Sequence, residues 1–324
     1  MFNRTLFCDE TLVNAVTREP KRVLVCGTLA YDVIGRTPDR LHTGVRNVKL
    51  DGLLEDFGGG AMNMAYTLRQ LGHEPVTLAY VGDDFAPAYA NHMTAGDLRT
   101  DGLVHVTGAL CARGITLTDP DGEQFTAFFP GPTGLDRLGA DIEHVCRRET
   151  FDAAVLATDL PEKTVAAAAA LRDIPLRIWC PGQYAQHFSA EQVAPLVAWA
   201  DLIILNRFEW RTLYPLVKRG VIERFTTRGK PRKPGVIVTR GAGSVVIWSP
   251  GATRTSVAVP PVTRSAQRDP TGCGDALSAG VIAGLVERLP VTLAVERGIA
   301  VAQLCLQQPG TQHHLKDLRD SRHV

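Results

Sequence analysis

Short runs of β-branched and other apolar residues recur along this chain, and segments with helical periodicity separate them. The runs are Val23–Cys26, Val76–Val81, Ala153–Ala157, Leu176–Trp179, Leu202–Leu205 and Val236–Val238. Helical periodicity is clearest in Met62–Leu71, Glu191–Ala200 and Phe208–Val217. Strands that alternate with helices are typical of βαβ units, because two parallel strands need a long crossover connection. The pattern therefore predicts a mostly parallel, doubly wound sheet with helices on both faces.

Two stretches in the first half of the chain interrupt this alternation. Residues 37–56 are polar with loose apolar alternation, and Arg113–Phe129 has the pattern of two strands joined by a turn at Asp119–Gly122. Strands alternate in this way when one face of their sheet is solvated. We expect a small separate sheet, a lid formed by about residues 36–57 and 111–131. The alternative is an antiparallel edge of the main sheet.

Charge and cysteine content argue against several kinds of protein. The 324 residues include 35 Lys and Arg against 34 Asp and Glu, a formal net charge of +1. Nucleic acids and anionic membranes select clustered positive charge, so we expect neither as a partner. The seven cysteines form no C-x-x-C pair, which indicates reduced thiols. No apolar run approaches the roughly 20 residues of a membrane span, and no signal-peptide pattern is present, so we expect a cytoplasmic protein.

The most informative motif is Arg-Asp-Pro-Thr-Gly-Cys-Gly-Asp at residues 268–275, directly before an apolar helical pattern. Gly272, Cys273 and Gly274 are small enough for a tight turn whose N–H groups converge at a helix N-terminus, where the helix dipole favours an anion. The motif therefore predicts a phosphate cradle. Asp275 would repel that phosphate, unless its carboxylate accepts a proton from an attacking hydroxyl. The alternative is a structural turn with Asp275 as the helix N-cap.

Two further glycine turns follow predicted strands nearer the N-terminus. Residues 58–65, Gly-Gly-Gly-Ala-Met-Asn-Met-Ala, lead into a helix, and Gly59 and Gly60 would let the backbone approach a ligand. Asn63 offers both a donor and an acceptor, which suits neighbouring sugar hydroxyls. Asp32 follows the first strand, so we place it at the carboxyl end of the main sheet, where doubly wound folds bind ligands. Each turn alone is also consistent with a structural βα connection.

The order of these motifs resembles that of the ribokinase-like, or PfkB-type, family of sugar and nucleoside kinases. The same order includes Asn-Arg-Phe-Glu at residues 206–209 and Thr-Arg-Gly at residues 239–241. The resemblance implies a three-layer αβα fold in a single kinase domain over residues 21–324, preceded by an extension at residues 1–20. It also implies a β-sheet lid that excludes water, so that ATP is not hydrolysed.

The resemblance assigns the acceptor side of the site. Asp275 is similar to the family's catalytic base, and the N–H groups of Gly272, Cys273 and Gly274 resemble its anion hole. Cys273 replaces a residue that is usually alanine, and its small side chain should leave the backbone path intact. The positions that match those holding substrate hydroxyls are Asp32, Gly59, Gly60 and Asn63.

The resemblance also assigns the nucleotide side. Asn206 and Glu209 are similar to an element that organises Mg²⁺ through water beside the triphosphate of ATP. Thr239 and Gly241 match a turn that contacts the nucleotide. The next glycine, Gly243, comes one residue earlier than is common in the family. A requirement for K⁺ is left open.

The acceptor is less constrained than the reaction. A clamp formed by Asp32 and Asn63 suits a free sugar or a nucleoside, since both carry vicinal hydroxyls. Gln124 and Phe128 lie on the second lid strand, where a flat apolar surface could stack on a purine. The phenylalanines there could instead pack the lid on itself or on a second subunit. Residues 126–131 and 309–312 resemble bacterial adenosine and nucleoside kinases.

We therefore expect ATP-dependent phosphorylation of the 5′-hydroxyl of a nucleoside, with adenosine as the leading candidate. The alternative is a sugar kinase that acts on ribose, fructose or a related carbohydrate. A third hypothesis is a protein that senses a nucleoside or sugar without turnover, although a base beside an anion hole disfavours it. A half-apolar lid also predicts pairing of two chains, so we expect a homodimer through the lid.

Overall fold

The computed structural model describes residues 19–121, 123–224, 234–249, 254–263, 266 and 270–315, so the expected extension at residues 1–20 lies largely outside it. Its strands are β1 (Arg22–Cys26), β2 (Ala30–Arg36), β3 (Gly52–Gly58), β4 (Glu74–Val81), β5 (Leu103–His105), β6 (Ala112–Thr118), β7 (Gln124–Phe129), β8 (Ala153–Leu156), β9 (Leu176–Trp179), β10 (Leu202–Asn206), β11 (Gly235–Thr239), β12 (Ser244–Trp248) and β13 (Arg254–Ala258). Its helices are α1 (Gly60–Gln70), α2 (Ala88–Ala95), α3 (Leu138–Arg148), α4 (Pro161–Ala170), α5 (Ala190–Trp199), α6 (Arg207–Arg224), α7 (Cys273–Val286) and α8 (Val291–Leu306), with a 3₁₀ turn at Gly182–His187.

The main sheet has nine strands in the spatial order β13-β12-β11-β10-β9-β8-β1-β4-β5. Every pairing from β11 to β5 is parallel, which confirms the predicted sheet type. Strands β12 and β13 extend one edge as antiparallel neighbours, and the sequence pattern did not predict them. Parallel strands end at the same edge, so the segments that follow β1, β8, β9 and β10 meet there.

Helices cover both faces of the main sheet, and the alternation of side chains along β1 shows why. Val23 and Val25 point to one face and join a buried apolar cluster with α1, α7 and α8. Leu24 and Cys26 point to the other face and join a cluster with α3, α4, α5 and α6. A strand segment buried on both faces must be apolar, and Val23–Cys26 is, while the charged Arg22 before it is exposed. These clusters confirm the expected three-layer αβα architecture.

Helices α7 and α8 pack closely because glycines face each other along their contact. A Cβ on Gly280 would lie 2.8 Å from Cα of Gly298, and one on Gly298 would lie 2.6 Å from the carbonyl oxygen of Leu277. This contact holds α7 firmly against α8. Asp275 lies in the first turn of α7. No helix of the described residues combines the length and the apolar character that a membrane crossing requires.

A separate small sheet has four strands in the order β3-β2-β6-β7. Strands β6 and β7 form the antiparallel pair predicted from the sequence, and they belong to this sheet instead of the edge of the main one. The small sheet also includes β2, which starts at Ala30, ahead of the predicted lid boundary near residue 36. It is called the small sheet below.

The position predicted for Asp32 was wrong. Asp32 lies within β2 of the small sheet, opposite Asp56 of β3, and not at the carboxyl end of a main-sheet strand. Only Gly27–Leu29 separate β1 from β2, and this interval is too short to signal a change of sheet. The chain passes close to Ala157 where it changes sheet. A Cβ on residue 27 would lie only 3.0 Å from Cβ of Ala157, and Gly27 avoids this close contact.

Candidate active site

A cleft of about 1340 Å³ separates the small sheet from the carboxyl edge of the main sheet. The main-sheet side consists of segments that follow strands, and it includes Thr28, Thr158, Gln183 and Glu209. The small-sheet side is formed by β2, β3, β6 and β7. The predicted site residues that line this cleft are Asp32, Gly59, Gly60, Asn63, Phe128, Glu209, Gly272, Gly274 and Asp275. The motifs that are far apart in the sequence therefore meet in one place.

The N-cap of helix α7 is Gly272, whose φ of 75° is a left-handed conformation that favours glycine. Asp275 is the third residue of the helix and lies inside its first turn, so the alternative in which Asp275 is the N-cap is wrong. The N–H of Cys273 donates to the carbonyl oxygen of Pro270 across 3.3 Å, which closes the turn. An anion at this N-terminus would compete with Pro270 for that donor.

Asp275 has the properties of a general base that works near neutral pH. Burial raises the pKa of Asp275 to about 6, and a hydrogen bond from Asn63 partly offsets this effect. In that bond Nδ2 of Asn63 donates to Oδ2 of Asp275 across 2.8 Å. A base is most effective when its pKa lies close to the working pH, because it is then both ionised and basic.

The amide of Asn63 is held from both ends. Its Nδ2 donates to Asp275, while its Oδ1 lies 2.8 Å from Oγ1 of Thr311 and 3.1 Å from Nε2 of Gln312. Thr311 and Gln312 belong to the segment after α8, which the sequence analysis connected only with relatives and not with the site. No local pattern marks them, because their contacts span 248 and 249 residues.

Asp32 faces the cleft from the small sheet, in close contact with glycines. A Cβ on Gly58 would collide with the Asp32 carboxylate, and one on Gly114 would lie 3.0 Å from its Oδ1. The neighbouring carboxylate, Asp56, was not predicted. Burial opposes its charge, but hydrogen bonds from His313 and from the N–H of Phe57 outweigh burial and lower the pKa of Asp56.

Asn206 and Glu209 form a closed hydrogen-bonded unit at the carboxyl end of β10. The backbone N–H of Asn206 donates to Oε2 of Glu209 across 2.9 Å, and Nδ2 donates to Oε1 across 2.5 Å. In return, Oδ1 of Asn206 accepts from the N–H groups of Phe208 and Glu209. Asn206 thus provides an acceptor for N–H groups in the first turn of α6, and it fixes the carboxylate of Glu209 at the cleft.

The electrostatics of Glu209 favour a nearby cation. Burial, together with the negative charge of Asp275, raises the pKa of Glu209 to about 7, against the opposing effect of the hydrogen bonds from Asn206. Among the described residues, no cluster of three or more His, Cys, Asp or Glu is arranged to hold a metal. Mg²⁺ needs no such cluster where it keeps its waters and binds substrate phosphates, so Glu209 fits a water-mediated role.

Thr239 and Gly241 lie beside this unit. Thr239 pairs with Asn206 across β10 and β11, so both stand at the carboxyl edge of the sheet. Gly241 has a φ of 60° in a tight turn, which the N–H of Gly243 closes on the carbonyl oxygen of Arg240. The short glycine spacing seen in the sequence therefore forms a compact turn at the predicted nucleotide side.

The phenylalanines of β7 divide between the two faces of the small sheet. Phe128 lines the cleft, and its ring meets that of Tyr184 edge to face at 5.8 Å between centroids. Phe125 and Phe129 point away from the cleft and are 60% and 47% exposed. The side chain of Gln124 lies outside the described part of the structure. Tyr184, which follows β9 in the 3₁₀ turn, was not predicted as a site residue.

A carboxylate of raised pKa in the first turn of a helix, beneath a small sheet at the carboxyl edge of a parallel αβα sheet, is the arrangement of ribokinase-like small-molecule kinases. Residues 20–318 match the model of the pfkB family of carbohydrate kinases, and the chain belongs to that family. The chain is therefore a phosphotransferase that acts on an alcohol group of a nucleoside or sugar, as the motif order indicated.

Relatives of both kinds share this fold. A nucleoside kinase of Methanocaldococcus jannaschii is 23% identical over 266 residues, which cover 80% of this chain and 82% of the relative. The structure of Burkholderia thailandensis nucleoside kinase with inosine is similar with a TM-score of 0.76 at 24% identity, covering 93% of this chain and 97% of that one. Thermotoga maritima ribokinase follows with a TM-score of 0.74 at 19% identity, covering 94% and 100%.

Proposed function

We propose that this enzyme transfers the γ-phosphoryl group of ATP to the 5′-hydroxyl of a nucleoside, with adenosine as the first candidate. The observation that carries the proposal is the position of Asp275, a carboxylate with a pKa of about 6 in the first turn of α7. A binding protein without activity has no use for such a base beside a site for anions, so a sensor without turnover is disfavoured.

The chain's own groups account for the acceptor side. Asp32 and Asn63 hold ribose hydroxyls, and Gly59 and Gly60 let the backbone approach them. Asp275 takes the proton of the 5′-hydroxyl while the hydroxyl oxygen forms a bond to the γ-phosphorus. The bond between the γ-phosphorus and the oxygen of the leaving β-phosphate breaks at the same time. The N–H groups of Gly272, Cys273 and Gly274 stabilise charge on the transferring group.

The nucleotide lies along the carboxyl ends of β10 and β11 in this proposal. Thr239 and Gly241 contact the nucleotide, and Asn206 holds Glu209 toward the triphosphate. Glu209 would hold Mg²⁺ through water, and the ion would supply positive charge to the phosphate oxygens. The small sheet acts as a lid that excludes water from the reaction.

The cleft favours a nucleoside over a free sugar, because it offers an aromatic surface beyond the hydroxyl clamp. Phe128 lies on the same face of the small sheet as Asp32 and in the same register, with Gly114 of β6 between them. A base attached to the ribose would reach this ring, whereas a pentose alone would not need it. Relatives named nucleoside kinases support the same choice, and one structure of the Burkholderia enzyme is a complex with inosine.

The outer face of the small sheet supports a homodimer in the same proposal. Ile115, Phe125 and Phe129 are exposed there, and a second copy of the sheet would cover them. The reaction would take place in the cytoplasm and return purine nucleosides to the nucleotide pool. Sugar phosphorylation remains the alternative, since ribokinases share the fold.

A substrate panel tests the proposal. ADP release is measured with ATP, Mg²⁺ and each of adenosine, inosine, cytidine, ribose and fructose, with and without KCl. We expect the largest kcat/KM with a purine nucleoside and a product phosphorylated at the 5′ position. A larger kcat/KM for ribose or fructose would establish the sugar kinase alternative. Binding of a nucleoside without turnover of any compound would overturn both.

A further inference from the structure

A buried chain of side-chain hydrogen bonds runs from α2 to Asp275. Nε2 of His92 lies 2.9 Å from Oε1 of Gln312, whose Nε2 donates to Oδ1 of Asn63 across 3.1 Å. Nδ2 of Asn63 then donates to Asp275 across 2.8 Å. Gln312 is completely buried and Asn63 is 6% exposed, so water has little access to the bond between them. We call His92, Gln312 and Asn63 the amide chain.

The neighbours of Gln312 fix which end of its amide faces Asn63. Its Nε2 also donates to the hydroxyl oxygen of Tyr89 across 3.1 Å, and that hydroxyl donates its own proton to the carbonyl oxygen of Gly58 across 2.7 Å. The Tyr89 oxygen is therefore an acceptor toward Gln312. His92 completes the arrangement, because a protonated Nε2 donates to Oε1 of Gln312.

Gln312 is the dependable donor to Asn63. The other candidate, Oγ1 of Thr311, lies 2.8 Å from both Oδ1 of Asn63 and the carbonyl oxygen of Phe57. A hydroxyl has one proton and cannot donate to both acceptors at once. The amide of Gln312 has two protons, one for Asn63 and one for Tyr89.

We propose that Gln312 is a positioning residue for phosphoryl transfer, because it orients the amide of Asn63 so that Nδ2 faces Asp275. The proposal rests on the function proposed above, in which Asp275 is the base. With Nδ2 toward it, the carboxylate of Asp275 is held ionised and in one orientation. With the amide reversed, Oδ1 of Asn63 would face Asp275. Because Oδ1 is an acceptor, Asp275 could bond to it only as a protonated carboxyl group that donates its proton.

Loss of Gln312 therefore favours the protonated, inactive form of Asp275. The titratable groups that face Asp275 from neighbouring elements of the described structure are Glu209 from the start of α6 and the Cys180 thiol after β9. Asp32 lines the same cleft from the small sheet. Burial raises the pKa of the Cys180 thiol far above neutral pH, so this thiol stays uncharged. Glu209, with a pKa of about 7, becomes negative as pH rises through 7 and then repels the ionised Asp275. Asn63 supplies the nearby compensating donor.

Two histidines lie next to Gln312, and neither compensates Asp275. His313 is bonded to Asp56. Burial lowers the pKa of His314 to about 4, and the charge of His313 lowers it further, so His314 is neutral at working pH. Its Nε2 lies 3.0 Å from Oγ1 of Thr67. The ionised state of Asp275 thus depends on the amide chain and not on these two histidines.

The test compares pH profiles of kcat for Gln312→Met and the wild type. The replacement removes the donor to Asn63 with little change in side-chain length. We expect the acid limb to move up by about one pH unit, since losing a hydrogen bond to a charged group shifts a pKa by that order. At pH 6 kcat should fall about fivefold, and at pH 5 about tenfold, with recovery near pH 8.5. His92→Phe keeps the stack on Phe57 and should give a smaller shift in the same direction.

Gln307→Met is the control, since Gln307 is the C-cap of α8 and its side chain donates to the carbonyl oxygen of Gln303. Thermal unfolding and nucleoside affinity show whether each variant is folded. A folded Gln312 variant with the wild-type acid limb would overturn the positioning role, as would a loss of kcat that is equal at every pH. Failure of the proposed function is distinct: the wild type would phosphorylate no nucleoside or sugar, or Asp275→Asn would remain active.

Discussion

The amide of Asn63 donates to the carboxylate of Asp275 across 2.8 Å and joins residues 212 positions apart in the chain. Each residue lies in the first turn of a helix that starts after a glycine of positive φ, Gly59 at 94° for α1 and Gly272 at 75° for α7. A Cβ on Gly59 would collide with the carbonyl oxygen of Thr28, so this turn requires glycine. The two glycine motifs thus form opposite halves of one site.

Replacing Asp275 by Asn removes the proton acceptor and keeps the shape of the side chain. We expect kcat to fall by at least about 100-fold, the usual scale for losing a general base, with little change in nucleoside affinity. Steady-state kinetics and calorimetric binding measure the two effects. Asp136→Asn, at an exposed position, is the control. An active Asp275→Asn variant would place the base elsewhere.

The wild-type rate should depend on the ionisation of Asp275. Burial raises the pKa of this carboxyl to about 6, and the base is active only when ionised. We therefore expect kcat/KM to be constant at alkaline pH and to fall about tenfold per pH unit below 6. Initial rates at saturating Mg²⁺ measure the profile, and circular dichroism at each pH verifies that the protein is folded. A flat profile from pH 5 to 8 would contradict this role.

Local patterns predicted most of the main sheet and the motif-bearing helix starts. Strand β9 runs from Leu176 to Trp179 as predicted, because a short apolar run is a local signal. The antiparallel edge strands β12 and β13 were not predicted, since they lack the intervening helices that mark the other strands. The small sheet was predicted from its alternation, but β2 was not included in it.

The site residues likewise divide into those that a local sequence pattern marks and those that no local pattern marks. Asp32, Asn63 and Asp275 stand in or beside glycine turns, which are visible in the sequence, and the cleft brings them together. Gln312 and Asp56 have no local mark, because their roles come from contacts across the fold. Their partners, Asn63 and His313, lie 249 and 257 residues away. Only a folded chain shows which of its many polar residues are so placed.

Glu209→Gln should weaken the use of Mg²⁺ more than the chemical step. The amide keeps the size of the carboxylate but has no charge to attract the ion. We expect the Mg²⁺ concentration for half-maximal rate to rise about tenfold, the scale for losing an outer-sphere partner. Because the pKa of Glu209 is about 7, the wild-type requirement should fall as pH rises through 7, and the variant should lose this dependence.

Glu191→Gln provides the matched control, since Glu191 also lies in the first turn of a helix, α5, but outside the cleft. Rates at varied Mg²⁺ and fixed ATP measure the effect. A Mg²⁺ requirement of Glu209→Gln equal to that of the wild type would contradict the role of Glu209.

Gly298→Ala should destabilise the protein through the contact of α7 and α8. The new Cβ would lie 2.6 Å from the carbonyl oxygen of Leu277 and 2.7 Å from Cγ2 of Val281. Overpacking of this kind costs about 1–3 kcal/mol in the free energy of unfolding. Gly139→Ala in α3 is the control, because no atom lies within 4 Å of the new Cβ, and it should stabilise the helix by about 0.5–1 kcal/mol. Urea denaturation distinguishes the two, and equal stabilities would contradict the packing argument.

Phe128→Ala should reduce activity toward nucleosides and spare activity toward ribose. Phe128 lines the cleft, and an aromatic ring that stacks on a base contributes about 1–3 kcal/mol. We expect kcat/KM for a purine nucleoside to fall about tenfold or more, since 1.36 kcal/mol corresponds to a factor of ten. Phe125→Ala, on the opposite face of β7 and 60% exposed, is the matched control and should leave both rates unchanged. An equal loss with nucleoside and ribose would mean that Phe128 supports the small sheet and does not recognise a base.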